Sequence, residues 1–137
     1  MRTPAEILRD TKTIALVGAS PKADRPSNSV MHYLLQQGYD VIPVRPAGCD
    51  EVLGVPCVQT LSEIDRPIDL VDVFRRAEFT PAHAREAVEA GAGALWLQLG
   101  IVSDESRAIA EAAGIDYVED LCTAVVHRYE VREPLTG

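Results

Sequence analysis

The sequence predicts an α/β fold that is doubly wound around a mainly parallel sheet of five or six strands. Short apolar runs alternate along the chain with amphipathic stretches of about ten residues, the usual length of crossover helices. Right-handed crossovers of this kind set parallel strands side by side and place helices on both faces of the sheet. A chain of 137 residues can bury a proper core, so we expect a single domain over 1–137.

The first third of the chain is predicted to form a helix, a strand, a second helix and a second strand. The segment 3–6 has the pattern of a capping box with proline at the first helical position. The run 13–17 is the first predicted strand, and Ser27 is the expected N-cap of the next helix. The second strand is predicted over 39–44, where Pro43 favours a strand end or a bulge.

The rest of the chain continues the alternation after a Gly- and Pro-containing connection over 45–58, in which a short strand is expected at 55–58. Thr60, Thr80 and Ser103 are expected to cap three further helices. The remaining strands are predicted at 68–74, 94–99 and 115–118. The tail 123–137 is predicted to form one more helix or to wrap around the domain.

Composition limits the classes of partner and the compartment. A net charge of −8 disfavours a nucleic acid or an anionic membrane surface as partner. No run approaches the roughly 18 apolar residues of a membrane span, and no apolar signal-peptide core follows the first residues, so a cytoplasmic location is expected. The 3 cysteines lack paired metal-ligand spacing, which predicts reduced thiols and no structural zinc.

The loop after the first strand is a candidate phosphate-binding turn. Its sequence, GASPKADRPS over 18–27, has only the first glycine of the dinucleotide fingerprint and no Walker pattern. Ligands of parallel sheets bind at the carboxyl ends of the strands, where helix N-termini offer unpaired N–H groups. We therefore expect Ser20, Lys22, Arg25 and backbone N–H groups to hold phosphates. The alternative is a plain strand-to-helix turn with solvated charges.

Other strand ends also carry candidate binding residues. Arg45 stands where a nicotinamide enzyme usually has an acidic residue, which favours a phosphorylated adenosine ligand over NAD. In the segment 74–76, Phe-Arg-Arg, the aromatic ring could pack on a ligand whose phosphate the arginines bind. The alternative is that Phe74 lies in the core and both arginines are solvated. Gln98 is an amide in an apolar strand and needs partners from the backbone or from a ligand.

The sequence contains no convincing catalytic set. His32 and His83 fall in predicted helices away from strand ends. Asp69 and Asp72 alternate with apolar residues of a strand and do not resemble an acid–base pair, and Asp120 has no obvious partner. A binding cleft is therefore predicted without catalytic groups.

Four motifs, in this order and spacing, resemble the small stand-alone CoA-binding domain proteins. They are VGASPKADRPS at 17–27, GYDVIPVRP at 38–46, VDVFRR at 71–76 and WLQLGI at 96–101. The match runs from about 14 to 122. That family is similar to the N-terminal CoA-binding domain of the succinyl-CoA synthetase α subunit. The resemblance implies a Rossmann-like fold with coenzyme A at the carboxyl ends of the strands.

The resemblance also implies which residues contact coenzyme A. Those of the phosphate turn are Gly18, Ala19, Ser20, Lys22 and Arg25, and those beside adenine and ribose are Val44, Arg45 and Pro46. Those that flank the ligand or approach its pantetheine arm are Phe74, Arg75, Gln98, Leu99 and Gly100. Cys122 matches a cysteine that follows the last strand in both groups. Many family members carry asparagine in place of Arg45.

The expected function is therefore non-catalytic binding of coenzyme A or an acyl-CoA. Cys122 is expected either to be a small buried hydrophobe or to pair with the thiol of coenzyme A in a mixed disulfide. The catalytic phospho-histidine of the synthetase belongs to a second domain outside the matched region, so ligase chemistry is not implied. The alternatives are a nicotinamide- or acyl-CoA-dependent enzyme and a CoA-binding regulatory subunit of a separate synthetase-like partner.

Overall fold

A five-stranded sheet forms the centre of the computed structural model, which describes residues 1–132. The strands are β1 (Thr13–Val17), β2 (Asp40–Val44), β5 (Leu70–Val73), β6 (Ala94–Leu97) and β7 (Asp116–Val118). Their order across the sheet is β2-β1-β5-β6-β7, and every neighbouring pair is parallel. The predicted Rossmann-like α/β fold is confirmed, with five strands in the main sheet.

Helices cover both faces of this sheet. They are α1 (Pro4–Asp10), α2 (Pro26–Gln36), α3 (Thr80–Glu89), α4 (Asp104–Ala113) and α5 (Thr123–Val126), and α5 continues as a π-helix over His127–Val131. Short 3₁₀ turns lie at Leu61–Glu63 and Ala77–Phe79. The part of the tail prediction that concerns 133–137 lies outside the described residues. Within 1–132 no helix is long and apolar enough to cross a bilayer.

Two apolar cores lie on the two sides of the sheet because successive strand residues point to opposite faces. Ile14 and Leu16 of β1 belong to one core, which also receives side chains from α1, α2 and α5. Ala15 and Val17 belong to the other, beneath α3 and α4. Every residue of β1 is buried, as expected for a strand between two neighbours and two helical layers.

Side-chain caps start α1 and α4 as predicted, whereas the predicted caps of α2 and α3 are wrong. The capping box at Thr3 and Glu6 is present, and Ser103 caps α4 by accepting a hydrogen bond from the Ser106 N–H at 3.1 Å. Ser27 is not the N-cap of α2, because Pro26 already occupies the first helical position and Arg25 is the cap. Thr80 lies inside α3, where its hydroxyl donates to the Ala77 carbonyl at 2.8 Å.

The connection after β2 contains a small hairpin closed by a disulfide. Strands β3 (Glu51–Val52) and β4 (Val55–Pro56) pair in antiparallel fashion, and Cys49 is bonded to Cys57. The prediction of reduced thiols is therefore wrong for these two cysteines, because the hairpin brings their Cα atoms to 5.7 Å, a separation that a disulfide spans. Cys122 is free.

The hairpin segment is also tied to the sheet. Val58 forms a parallel bridge to Val44, and the Arg45 N–H donates to the Val58 carbonyl at 2.8 Å. The strand expected at 55–58 is thus split into β4 and this bridge. Pro43 lies within β2, at the edge of the five-stranded sheet, where its missing N–H is tolerated.

Candidate functional site

A cleft of about 490 Å³ opens at the carboxyl ends of β1, β2 and β5. Its walls come from three segments that follow those strands, 18–27, 45–47 and 74–79. The order of strands reverses between β1 and β5, so the connections leave toward opposite faces and a crevice remains between them. The fold therefore places the cleft where doubly wound proteins bind ligands.

The cleft is positively charged in a protein of net charge −8. Its cationic side chains are Lys22, Arg25, Arg45, Arg75 and Arg76. No Asp or Glu of residues 1–132 is among those that line it. Within residues 1–132, the single ion pair of this group joins Arg76 to Glu78 at 3.6 Å between exposed side chains. A concave surface lined by one sign of charge concentrates oppositely charged ligands, so the cleft suits an anion.

Gly18 turns the chain at the end of β1 and allows two loops to meet. Its φ of +89° is disfavoured for residues with a side chain. A Cβ placed there would lie 3.1 Å from the Phe74 carbonyl carbon and 3.1 Å from the Arg75 Cγ. The glycine therefore lets the loop after β1 lie directly against the segment after β5.

Backbone hydrogen bonds hold the start of this loop to β2. The N–H groups of Gly18 and Ala19 both donate to the Val44 carbonyl, at 2.9 and 3.3 Å. These two amides are therefore engaged by the protein itself and are not free to hold a phosphate, contrary to the expectation for the backbone at this point of the turn. Further along, the Ser20 hydroxyl accepts from the Lys22 N–H at 3.2 Å, and the Ser20 carbonyl accepts from the Asn28 side chain at 3.0 Å.

Arg75 is held in the cleft wall by contacts that the sequence did not reveal. Its guanidinium carbon lies 4.3 Å from the centre of the Phe79 ring, and Nη1 lies 3.1 Å from Nε2 of His83. The other ring nitrogen of His83 lies 2.7 Å from Oε1 of Glu86. His83 was predicted in a helix far from the strand ends, but α3 packs back against the sheet and brings it behind Arg75. Helical spacing alone carries no signal for that contact.

The structure brings 9 of the 14 sequence-predicted site residues together in the cleft. They are Gly18, Ala19, Ser20, Lys22, Arg25, Arg45, Pro46, Phe74 and Arg75. The other five do not line it. Val44 is buried and contributes its carbonyl to the turn, while 98–100 and Cys122 follow β6 and β7 further along the same edge of the sheet.

Gln98 is occupied by side chains of the protein. Its Nε2 donates to Oδ1 of Asp72 at 2.6 Å and to the hydroxyl of Thr123 at 2.9 Å, and that hydroxyl donates to Oδ2 of Asp72 at 3.0 Å. All three residues are buried. Burial raises the pKa of Asp72 to about 7, against the opposing effect of its two hydrogen-bond donors. The expected backbone or ligand partners of the Gln98 amide nitrogen are thus replaced by a buried polar network.

The loops after β6 and β7 are joined to each other. The Gly100 N–H donates to Oδ1 of Asp120 at 2.7 Å, which supplies the partner that the sequence did not suggest for this carboxylate. Leu99 is 70 % exposed, and Cys122 is a half-buried free thiol at the N-cap of α5. Within the described chain, no group of three or more His, Cys, Asp or Glu side chains could hold a metal ion.

Comparison with known proteins fits this architecture. The model of a family described as "CoA binding domain" matches residues 12–128. The chain belongs to the CoA binding domain family. Membership covers β1 to α5 and the whole cleft, and it supports a CoA-related role in general.

Members and relatives of the CoA binding domain family include stand-alone proteins and parts of larger enzymes. The Bacillus subtilis (strain 168) protein YneT is 44% identical over 122 residues, which cover 89% of this chain and 90% of YneT. Acetate--CoA ligase [ADP-forming] I of Archaeoglobus fulgidus is 25% identical over 126 residues, which cover 85% of this chain but 18% of the ligase. A solved structure of a hypothetical protein from Pyrococcus horikoshii OT3 is 40% identical and has a TM-score of 0.88, covering 91% of this chain and 87% of that one.

Proposed function

We propose that this protein binds coenzyme A or an acyl-CoA non-catalytically in the cleft at the ends of β1, β2 and β5. The observation that carries the proposal is the cluster of five cationic side chains, without a lining carboxylate in residues 1–132, in a member of the CoA binding domain family. Coenzyme A carries a pyrophosphate and a ribose phosphate, so cations on three walls of one cleft match its distribution of charge.

Each wall has its own part in this proposal. Lys22 and Arg25 would contact the pyrophosphate from the loop after β1. Arg45 would face the adenosine end, because in doubly wound folds the residue that follows the second strand lies beside the ribose, and an arginine there accommodates a ribose phosphate. Arg75 would close the third side, and the pantetheine arm would leave the cleft toward the ends of β6 and β7.

The first experiment is a parallel calorimetric titration with coenzyme A, NAD and NADP. We expect saturable binding of coenzyme A alone. Arg45→Glu should weaken it by at least roughly 10-fold, because a charge-assisted hydrogen bond is replaced by repulsion. Ser20→Asp should act in the same direction by placing a carboxylate beside the phosphates.

The matched control is Lys12→Glu. It makes the same change of charge at an exposed position before β1, at the amino ends of the strands and so far from the cleft. The affinity for coenzyme A should stay within about 2-fold of wild type. Absence of coenzyme A binding, or an equal loss in the control, would overturn the proposal. Preference for a nicotinamide nucleotide would favour the dehydrogenase-like alternative.

A further inference from the structure

The chain formed by Glu86, His83 and Arg75 reaches the cleft from the helix layer behind it. Glu86 and His83 lie one turn apart on α3, and Arg75 follows β5. The His83 side chain is 7% exposed, whereas that of Glu86 is 32% exposed. A polar chain of this kind therefore runs from the solvent side of α3 through a buried ring to a cation in the cleft wall.

Hydrogen-bond chemistry decides which nitrogen of His83 carries the proton. An arginine can only donate, so Nε2 at 3.1 Å from Arg75 Nη1 must be the acceptor. A carboxylate can only accept, so Nδ1 at 2.7 Å from Glu86 must carry the proton and donate. Both contacts are satisfied at once only by the neutral ring with its proton on Nδ1.

The charged environment of the ring agrees with that form. Burial lowers the pKa of His83, the hydrogen bond to Glu86 opposes this effect, and the charge of Arg75 adds to it. Arg75 and Glu86 are the charged groups in contact with the ring within residues 1–132.

We infer that His83 positions the guanidinium of Arg75 for an anionic group of the ligand, with Glu86 fixing the ring. One of the five guanidinium N–H donors is used by His83, and the face of the group lies over Phe79. The remaining donors are available to a phosphate in a fixed orientation, so less side-chain entropy is lost when the ligand binds. The identity of that ligand as coenzyme A rests on the proposed function, whereas the positioning itself is a property of the ligand-free protein.

The test in solution has two parts, and the first needs no ligand. In ¹⁵N spectra of the histidine rings we expect His83 to show a protonated Nδ1 and an unprotonated Nε2 acceptor at neutral pH. A proton on Nε2 would overturn the inference whether or not coenzyme A binds.

The second part is a double-mutant cycle on coenzyme A affinity. His83→Phe keeps an aromatic ring but removes the acceptor, and should weaken binding roughly 10-fold in the wild-type background. In an Arg75→Gln background, His83→Phe should change the affinity by less than about 2-fold, because the guanidinium that His83 positions is absent. His83→Gln, whose side-chain oxygen can accept from Arg75, should stay within about 3-fold of wild type.

Two results of the cycle would contradict the inference. A loss of affinity from His83→Phe that is as large in the Arg75→Gln background would show a general packing effect. An unchanged affinity in the wild-type background would show that Arg75 needs no positioning. Failure of wild-type protein to bind coenzyme A would instead refute the proposed function, and the ring spectra would still decide the role of His83.

Discussion

Gly18 combines an unusual backbone angle with a close approach between two loops of the cleft. Its φ is +89°, and an added Cβ would meet the backbone carbon of Phe74 at 3.1 Å. Any side chain would therefore both strain the turn and push apart two walls of the site. The glycine is needed for geometry, independently of which ligand binds.

This gives a prediction with a control elsewhere in the chain. Gly18→Ala should lower the free energy of unfolding by about 2–4 kcal/mol, from left-handed strain plus the contact with Phe74. Gly38→Ala shares the strain, with φ +94°, but its Cβ would meet nothing within 4 Å, so it should cost only about 1 kcal/mol. Urea denaturation of both variants measures the difference, and equal losses would contradict the proposed close contact.

Residue patterns predicted the turn but not the contacts made across the fold. The glycine at the end of β1 and the capping box at Thr3 are local signals, readable from neighbours in sequence. The bond between His83 and Arg75 joins a helix to a strand end, and the network around Asp72 joins β5 and the loop after β6 to α5. Such pairs depend on how elements pack, and no periodicity in a single sequence encodes them.

At the level of elements, the hairpin β3–β4 leads into Val58 and Gln59, which hydrogen-bond to the cleft wall that carries Arg45. The disulfide between Cys49 and Cys57 closes the hairpin, and the Gln59 side chain donates to the Pro46 carbonyl at 3.3 Å. The sequence missed the disulfide because spacing of the cysteines alone does not reveal a turn between them. Leu53 and Gly54, both with positive φ, make that turn.

The stability of this element should therefore depend on the redox state. Replacing both Cys49 and Cys57 with serine should lower the free energy of unfolding by about 2–3 kcal/mol. This is the entropy of closing a loop between two cysteines that are separated by 8 positions in the sequence. Urea denaturation with and without reductant measures it. Wild type and Cys122→Ser should both lose stability on reduction, whereas the double variant should not respond. A wild-type curve that reductant leaves unchanged would contradict the disulfide's role.

At the scale of the whole molecule, stability should vary with pH because of buried titratable groups. The pKa of Asp72 is raised to about 7 by burial, so its folded form prefers the proton. The contribution of Asp72 to the free energy of unfolding is fully present below the unfolded pKa of 3.8. It is lost as the pH rises through the folded pKa of about 7. Burial lowers the pKa of His83 and His127, so stability from these residues is lost in the other direction, as pH falls below their unfolded value of 6.5.

Asp72→Asn isolates the first effect, since asparagine keeps the shape without titrating. Relative to wild type, the variant should gain stability between pH 4 and about pH 7, by about 2–4 kcal/mol in total, and then level off, because each pKa unit corresponds to about 1.4 kcal/mol. Chemical denaturation at several pH values gives this difference directly, and other titrating groups cancel in it. A difference that stays constant over the range would mean that Asp72 does not titrate there.

The whole architecture was the most predictable level. Alternating apolar runs and helical stretches were enough to predict a doubly wound sheet. The rule that ligands bind at strand carboxyl ends selected residues of all three walls of the cleft. The same rule also selected 98–100 and Cys122, which lie at that edge but outside the cleft. The rule names the carboxyl ends of all the strands and cannot tell which of them share one crevice. That depends on the order of the strands in the sheet, which the sequence did not predict.

The hydrogen bonds from Gly18 and Ala19 to Val44 have an evolutionary consequence. Because backbone amides make these bonds, an exchange of the charged side chains around the turn leaves the bonds in place. The cations of the cleft, in contrast, are exposed or half-exposed side chains that single mutations can exchange one at a time. In a duplicated gene, we expect such exchanges to alter which anions the cleft attracts while the backbone bonds of the turn are kept.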